Sequence, residues 1–151
     1  MPPVVHRLLH QYYSFARRLT LGVRGAVLDR QNRVFLVRHT YVAGWQMPGG
    51  GVEPGETLEA ALARELVEEG NIVISGEPCL HGMFFNKSLS NRDHVAVFLV
   101  REFEQTAPKT ADFEILEGNF FDLDRLPETT TAPTRRRLQE VLHGAKIDPL
   151  W

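Results

Sequence analysis

Three glutamates, Glu65, Glu68 and Glu69, stand three and four residues apart in the stretch GGGVEPGETLEAALARELVEEGNI, which runs from Gly49 to Ile72. Wound as an α-helix, that spacing puts all three carboxylates on one arc of roughly 100°. Like charges so arranged destabilise a bare helix. A hard divalent cation reverses the sign of the effect, because Mg²⁺ and Mn²⁺ prefer oxygen ligands. One such residue alone would read as a solvated helix face. The cluster, with a glycine-rich loop directly before it, reads as a metal site.

The loop has its own logic. Gly49, Gly50, Gly51 and Gly55 let the backbone approach an ion or phosphate closely, and Pro48 and Pro54 stiffen the two ends. Thr57 is placed to cap the helix, and Glu59 suits its positive pole. No Gly-Lys-Ser/Thr follows, which excludes a Walker-type phosphate loop.

From Gly50 there are five residues to Glu56, then seven to Arg64-Glu65-Leu66, one more to Glu68-Glu69, and finally Gly70, Asn71 and Ile72. This 23-residue stretch resembles the Nudix box, the signature of hydrolases acting on a nucleoside diphosphate linked to another moiety. Gly50, Glu56, Arg64, Glu65, Glu68 and Glu69 match its polar and glycine positions, and Leu66 and Ile72 its aliphatic ones. Asn71 stands where the family has a second glycine. Asn tolerates the left-handed conformation that ends a helix, and Gly70 offers an alternative place for that turn.

The resemblance implies an α/β/α sandwich with a mixed sheet, a hydrolase dependent on Mg²⁺ or Mn²⁺, and a small nucleotide-type substrate. It implies metal ligation by Glu65, Glu68, Glu69 and the Gly49 carbonyl, with Glu69 and Glu65 the principal ligands and Glu68 a ligand or the base. Arg64 would brace the glutamates, with Glu56 its partner. A further catalytic acid is expected from a later loop, where Glu114 is preferred to Glu117. The substrate is read as a nucleoside triphosphate, a nucleotide sugar or a dinucleotide. The alternative is a non-catalytic nucleotide sensor, which would typically have lost metal-binding glutamates that are all kept here.

The elements that must position these groups follow from patterning. Val5, Leu8, Leu9, Tyr12, Phe15, Ala16 and Leu19 recur at helical spacing, predicting an N-terminal amphipathic helix over residues 1–19 that packs on the domain or on a second copy of the chain. Strands are expected over 21–28 and 33–38, joined by a turn at Asp29–Asn32, then over 45–47, 72–74, 80–85, 94–103 and 119–123. A second helix is expected over 133–143, with Gly144 as its stop. The core domain would cover 20–144 and a tail 145–151. Arg38, His39 and Tyr41 fall between the second strand and the glycine loop, where Arg38, His39 and the Gly50 backbone are candidates for substrate contact. Phe84, Phe85, Asn86, Arg92 and His94 would line a second wall, and Trp45 would pack beneath the loop.

Bulk properties fit one domain. The 151 residues are 43% hydrophobic, and a net charge of −2 with pI near 6.3 supplies no general attraction to nucleic acid or anionic membrane. A lone cysteine, Cys79, allows no internal disulfide and suits a reducing cytoplasm. No apolar run approaches the ~20 residues of a bilayer span.

Overall fold

The computed structural model describes residues 3–151. Its elements in chain order are α1 (Pro3–Ala16), β1 (Thr20–Val27), β2 (Arg33–His39), β3 (Trp45–Gln46), β4 (Gly49–Gly51), α2 (Leu58–Gly70), β5 (Ile72–Ile74), β6 (Cys79–Phe85), β7 (Asp93–Val100), β8 (Phe103–Gln105), β9 (Ile115–Asp122) and α3 (Ala132–His143). The expected mixed sheet is β4-β1-β7-β6, in which β1 runs parallel to β7 and antiparallel to β4. A second, antiparallel sheet is β3-β2-β9, and β5 with β8 forms a two-stranded ribbon.

Alternation along the strands explains the layers. Val23 and Val27 of β1, Phe35 and Val37 of β2, and Ala96, Phe98 and Val100 of β7 pack with Ala61, Leu62 and Leu66 of α2. Their sequence neighbours Ala26, Leu28, Val34, Leu36, Val95 and Val97 pack on the other side with Met47, Phe84 and Leu138 of α3. Both faces of these strands are therefore buried, one under α2 and one under α3, giving an α/β/α sandwich.

The turn at Asp29–Asn32 forms as expected. The Asp29 carboxylate accepts from the Gln31 and Arg33 N–H groups (3.0 and 2.8 Å), and Asn32 has φ 56°. The strands it joins nevertheless enter different sheets, because β1 is already paired on both edges. The predicted 94–103 strand breaks after Val100, and its last part becomes β8, paired with β5. Strand β9 starts at Ile115, four residues before the expected Asn119, because β2 offers partners along its whole length.

The α1 helix does form. Its Val4, Leu8, Tyr12 and Phe15 are exposed, so the expected packing on the domain is not seen. The faces it would cover are already closed by α2 and α3. Arg17 and Arg18 lie over the rings of Tyr13 and Phe15 instead. Among the described residues, no helix is long and apolar enough to cross a membrane.

Candidate active site

Helix α2 starts where Thr57 accepts the Ala60 N–H at 3.1 Å and ends on Asn71 in the left-handed region (φ 54°, ψ 35°). Gly70 does not take that turn. It is the last helical residue, and a Cβ there would lie 2.7 Å from the Phe35 ring, so its role is close packing. Between these ends the buried residues are Ala61, Leu62, Glu65, Leu66 and Glu69. One helix face thus carries both the apolar anchor and two carboxylates.

The carboxylates have three different environments. Glu69 is 2% exposed, and its oxygens accept the Gly49 N–H at 2.8 Å and meet His39 Nε2 at 2.6 Å. Gln46 Nε2 lies 3.2 Å from His39 Nδ1, which makes Nδ1 the acceptor and leaves Nε2 to donate to Glu69. Glu65 bonds Arg64 Nη1 at 2.7 Å and sits so close to the loop that any Cβ on Gly50 would overlap its carboxylate. Burial pushes the Glu65 carboxyl above its usual range, against the opposing pull of Arg64, and the Glu69 and Glu68 charges push it further. The Glu68 side chain is 54% exposed and only 3.7 Å from Arg64.

Arg64 braces the loop as well as the helix. Its Nε and Nη2 donate to Glu56 (2.8 and 3.0 Å), and Nη2 also reaches the Gly51 carbonyl at 3.0 Å. The guanidinium holds the Glu56 carboxyl down at about 2, and its two carboxylate partners raise its own pKa.

A second group of acids and bases closes on Glu69 from across the fold. Ligand atoms of His39, Glu69 and Glu114 all lie within 4.8 Å of one another. Among the described residues this is the gathering that could hold an ion, and the Glu65–Glu68–Glu69 trio does not itself converge so tightly. Glu114 is pinned from two sides: Tyr41 Oη donates to it at 3.1 Å, and Asp112 accepts its backbone N–H at 2.9 Å. Partial burial, then the Glu114 hydrogen bond, push the Tyr41 hydroxyl above its usual pKa. Glu117 is elsewhere, opposite Arg38 on the β2–β9 ladder and 3.2 Å from its guanidinium.

The carboxylate oxygens are hard donors of the kind that suit Mg²⁺ or Mn²⁺, while the His39 imidazole, held between Glu69 and Gln46, orients Glu69. Burial is the main reason the Glu65 pKa is raised, and the neighbouring Glu69 and Glu68 charges add to it, so a cation bound nearby would favour the ionised form.

Other expectations fare unevenly. Arg38 is engaged by Glu117 and stands over the Trp45 ring. Trp45 is buried, with its ring against Phe121 of β9. Phe84 is fully buried core, the His94 ring lies tilted against Phe85, and Arg92 donates to the Arg18 carbonyl, so of that proposed wall only Asn86 reaches the recess beside His39. The recess, about 300 Å³, is lined also by Arg24, Tyr41, Gln46 and Trp151, of which sequence reasoning missed Arg24, Gln46 and Trp151. A larger depression of about 690 Å³, around Arg33, Arg101 and Phe103, lies at the other end of β2 from His39.

The NUDIX domain family model matches residues 18–142. The chain belongs to the Nudix family. The Nudix chain is 28% identical over 106 residues to an ADP-ribose pyrophosphatase of Methanocaldococcus jannaschii, covering 68% of this chain and 62% of that relative. It is 42% identical over 50 residues to an RNA pyrophosphohydrolase of Rickettsia bellii, covering 32% and 31% of the two chains. It thus spans less than two thirds of the length of these curated relatives. Among solved structures, a MutT NUDIX hydrolase from Burkholderia pseudomallei superposes with TM-score 0.71 at 25% identity, covering 82% of this chain and 98% of that one. A NUDIX hydrolase from Nitrosomonas europaea, at 19% identity, shows the same fold with TM-score 0.70 over 88% and 94% of the chains.

Proposed function

We propose that this protein hydrolyses a phosphoanhydride bond in a nucleoside diphosphate linked to another moiety, with Mg²⁺ or Mn²⁺ as cofactor. The observation that carries the reading is the meeting of Glu69, from the box helix, with His39 and Glu114 from two distant segments, beside a recess that His39 lines. A bound divalent cation supplies charge neutralisation on the phosphoryl oxygens and makes a nearby water more acidic.

The chain's own groups divide the remaining work. Glu69 and Glu65 are assigned as principal ligands, with the Gly49 carbonyl beside them. Glu68, exposed and loosely paired, is the carboxylate best placed to ligate or to accept a proton from water. Glu114 adds a further acid on the opposite bank, held in place by Tyr41 and Asp112. Arg64 and Glu56 keep the loop and helix in register, and His39 fixes the orientation of Glu69. Arg38 engages Glu117, which leaves Arg24 as the cation facing the recess. The ADP-ribose pyrophosphatase likeness supports nucleotide derivatives as the substrate class, and a reducing cytoplasm fits the single free cysteine.

The test is a screen of nucleoside triphosphates, nucleotide sugars and dinucleotides with Mg²⁺ and with Mn²⁺, reading released nucleotide and phosphate. Turnover of at least one class, lost on chelation, is expected. Binding with no turnover of any class would assign the chain as a nucleotide sensor.

A further inference from the structure

The segment after α3 turns back along the domain and delivers Trp151 to the recess beside His39. Its backbone is fastened at several points. The Phe85 N–H donates to the Pro149 carbonyl at 2.8 Å, and the Trp151 N–H donates to the Phe85 carbonyl at 3.0 Å. Arg136 donates to the Trp151 backbone oxygen at 2.7 Å, and Arg137 to the Leu150 carbonyl at 2.9 Å. Arg137 is wholly buried, lies 3.9 Å over the Phe84 ring and pairs with Glu140 at 2.8 Å. A fastening built on a buried arginine fixes the indole, yet the Trp151 side chain is only partly buried and lines the recess with Leu89 and Arg24.

Arg24 is the second observation. It donates to the Met47 carbonyl at 2.9 Å and has no carboxylate within ion-pair distance among the described residues. Burial lowers its pKa, so a desolvated positive charge faces the same recess as the indole. A flat aromatic surface, a cation with no direct ion pair among the described residues and the acid cluster close by match a ligand with an aromatic ring, a phosphate and an attached anhydride.

We propose that Trp151 is a specificity-determining residue, whose indole stacks on the base of the nucleotide while Arg24 meets its phosphate. This rests on reading the neighbouring cluster as a site for nucleotide-type substrates. Stacking tolerates any base, because every base has a π-face. The polar side chains there are already engaged, Asn86 by Asp93 and Ser88 at 2.9 and 3.0 Å, Gln46 by His39 at 3.2 Å and Tyr41 by Glu114 at 3.1 Å, which leaves little for reading base edges. The recess therefore selects for the presence of a base more than for its identity.

The experiment is calorimetric titration of the full chain, without metal, using adenosine and cytidine monophosphates against ribose 5-phosphate. The wild type is expected to bind both nucleotides tighter than the sugar phosphate. Trp151→Ala should weaken nucleotide binding by about 5- to 150-fold, the usual value of a base–aromatic stack, and leave ribose 5-phosphate unchanged. Trp151→Phe should retain most of the preference, which separates stacking from loss of the docked segment. Equal weakening of all three ligands by Trp151→Ala, or no preference in the wild type, would overturn the proposal. Because the titration needs no catalysis, base-selective binding without anhydride turnover would leave it standing while refuting the hydrolase. Turnover of nucleotide substrates that is indifferent to Trp151→Ala would do the reverse.

Discussion

Replacing Glu69 by Gln isolates the charge at the centre of the site from the shape that holds it. In the wild type its two oxygens meet the Gly49 N–H at 2.8 Å and His39 Nε2 at 2.6 Å. A glutamine can present its oxygen to Gly49 but must present NH₂ to His39. The imidazole can accept that donor by moving its proton to Nδ1, and Gln46, 3.2 Å away, can turn its amide to match. No buried donor need be left unpaired. What is lost is the difference between charge-assisted and neutral hydrogen bonds, about 1–2 kcal/mol in all. For a domain near 150 residues that lowers Tm by roughly 2–8 °C. Turnover with Mg²⁺ should fall by at least about 10²-fold, as when one preorganised charge-stabilising group is removed. Thermal unfolding with and without Mg²⁺, beside a turnover assay, separates these effects. Mg²⁺ should raise the wild-type Tm by mass action and leave the variant nearly unmoved. Undiminished activity in Glu69→Gln would refute the assignment of Glu69, and a collapse of the metal-free fold would show that the carboxylate is structural.

Three further outcomes follow from geometry away from that centre. Asn71→Gly should change stability and activity little, whereas Asn71→Ala places an unsuited side chain at φ 54° and should cost about 1–2 kcal/mol in urea unfolding. Arg137→Ala removes the buried cation 2.8 Å from Glu140, leaving that carboxylate only His81 at 3.0 Å and the Asp148 N–H at 3.3 Å, and should cost about 3–5 kcal/mol, while Arg137→Met with Glu140→Leu should restore part of the loss. Glu56 has its pKa depressed to about 2 in the folded state by Arg64, so its stabilising contribution is present above the ordinary carboxylate range and fades as pH falls toward 2. Unfolding curves for Glu56→Gln across pH 6 to 2 should therefore show a shallower acid limb than wild type; parallel limbs would mean the Arg64 pair contributes nothing to folding.

Where sequence reasoning succeeded, the determinant was local. The spacing of Glu65, Glu68 and Glu69 sets their shared flank as soon as the helix forms, and Thr57 and Asn71 mark its ends by side-chain chemistry and tolerance of the left-handed region. The Glu56–Arg64 pair follows from the loop leading straight into that helix. Segments rich in Val, Leu and Phe likewise marked most strands, with errors where a strand's length depends on its partner, as β9 follows β2 to Ile115.

The amino-acid order by itself therefore determined the acidic helix, the glycine turn before it and the position of most strands, since each depends on neighbours a few residues away. Only the tertiary structure decided that Glu69 is sealed beneath His39 while Glu68 stays in solvent, that Glu114 rather than Glu117 joins them, and that α1 is left without a surface to cover. Packing between distant segments also brought Arg24 and Trp151 to one recess. Such meetings depend on which strands pair and which face each helix closes, a choice made by the burial of the whole core and written in no single stretch of chain.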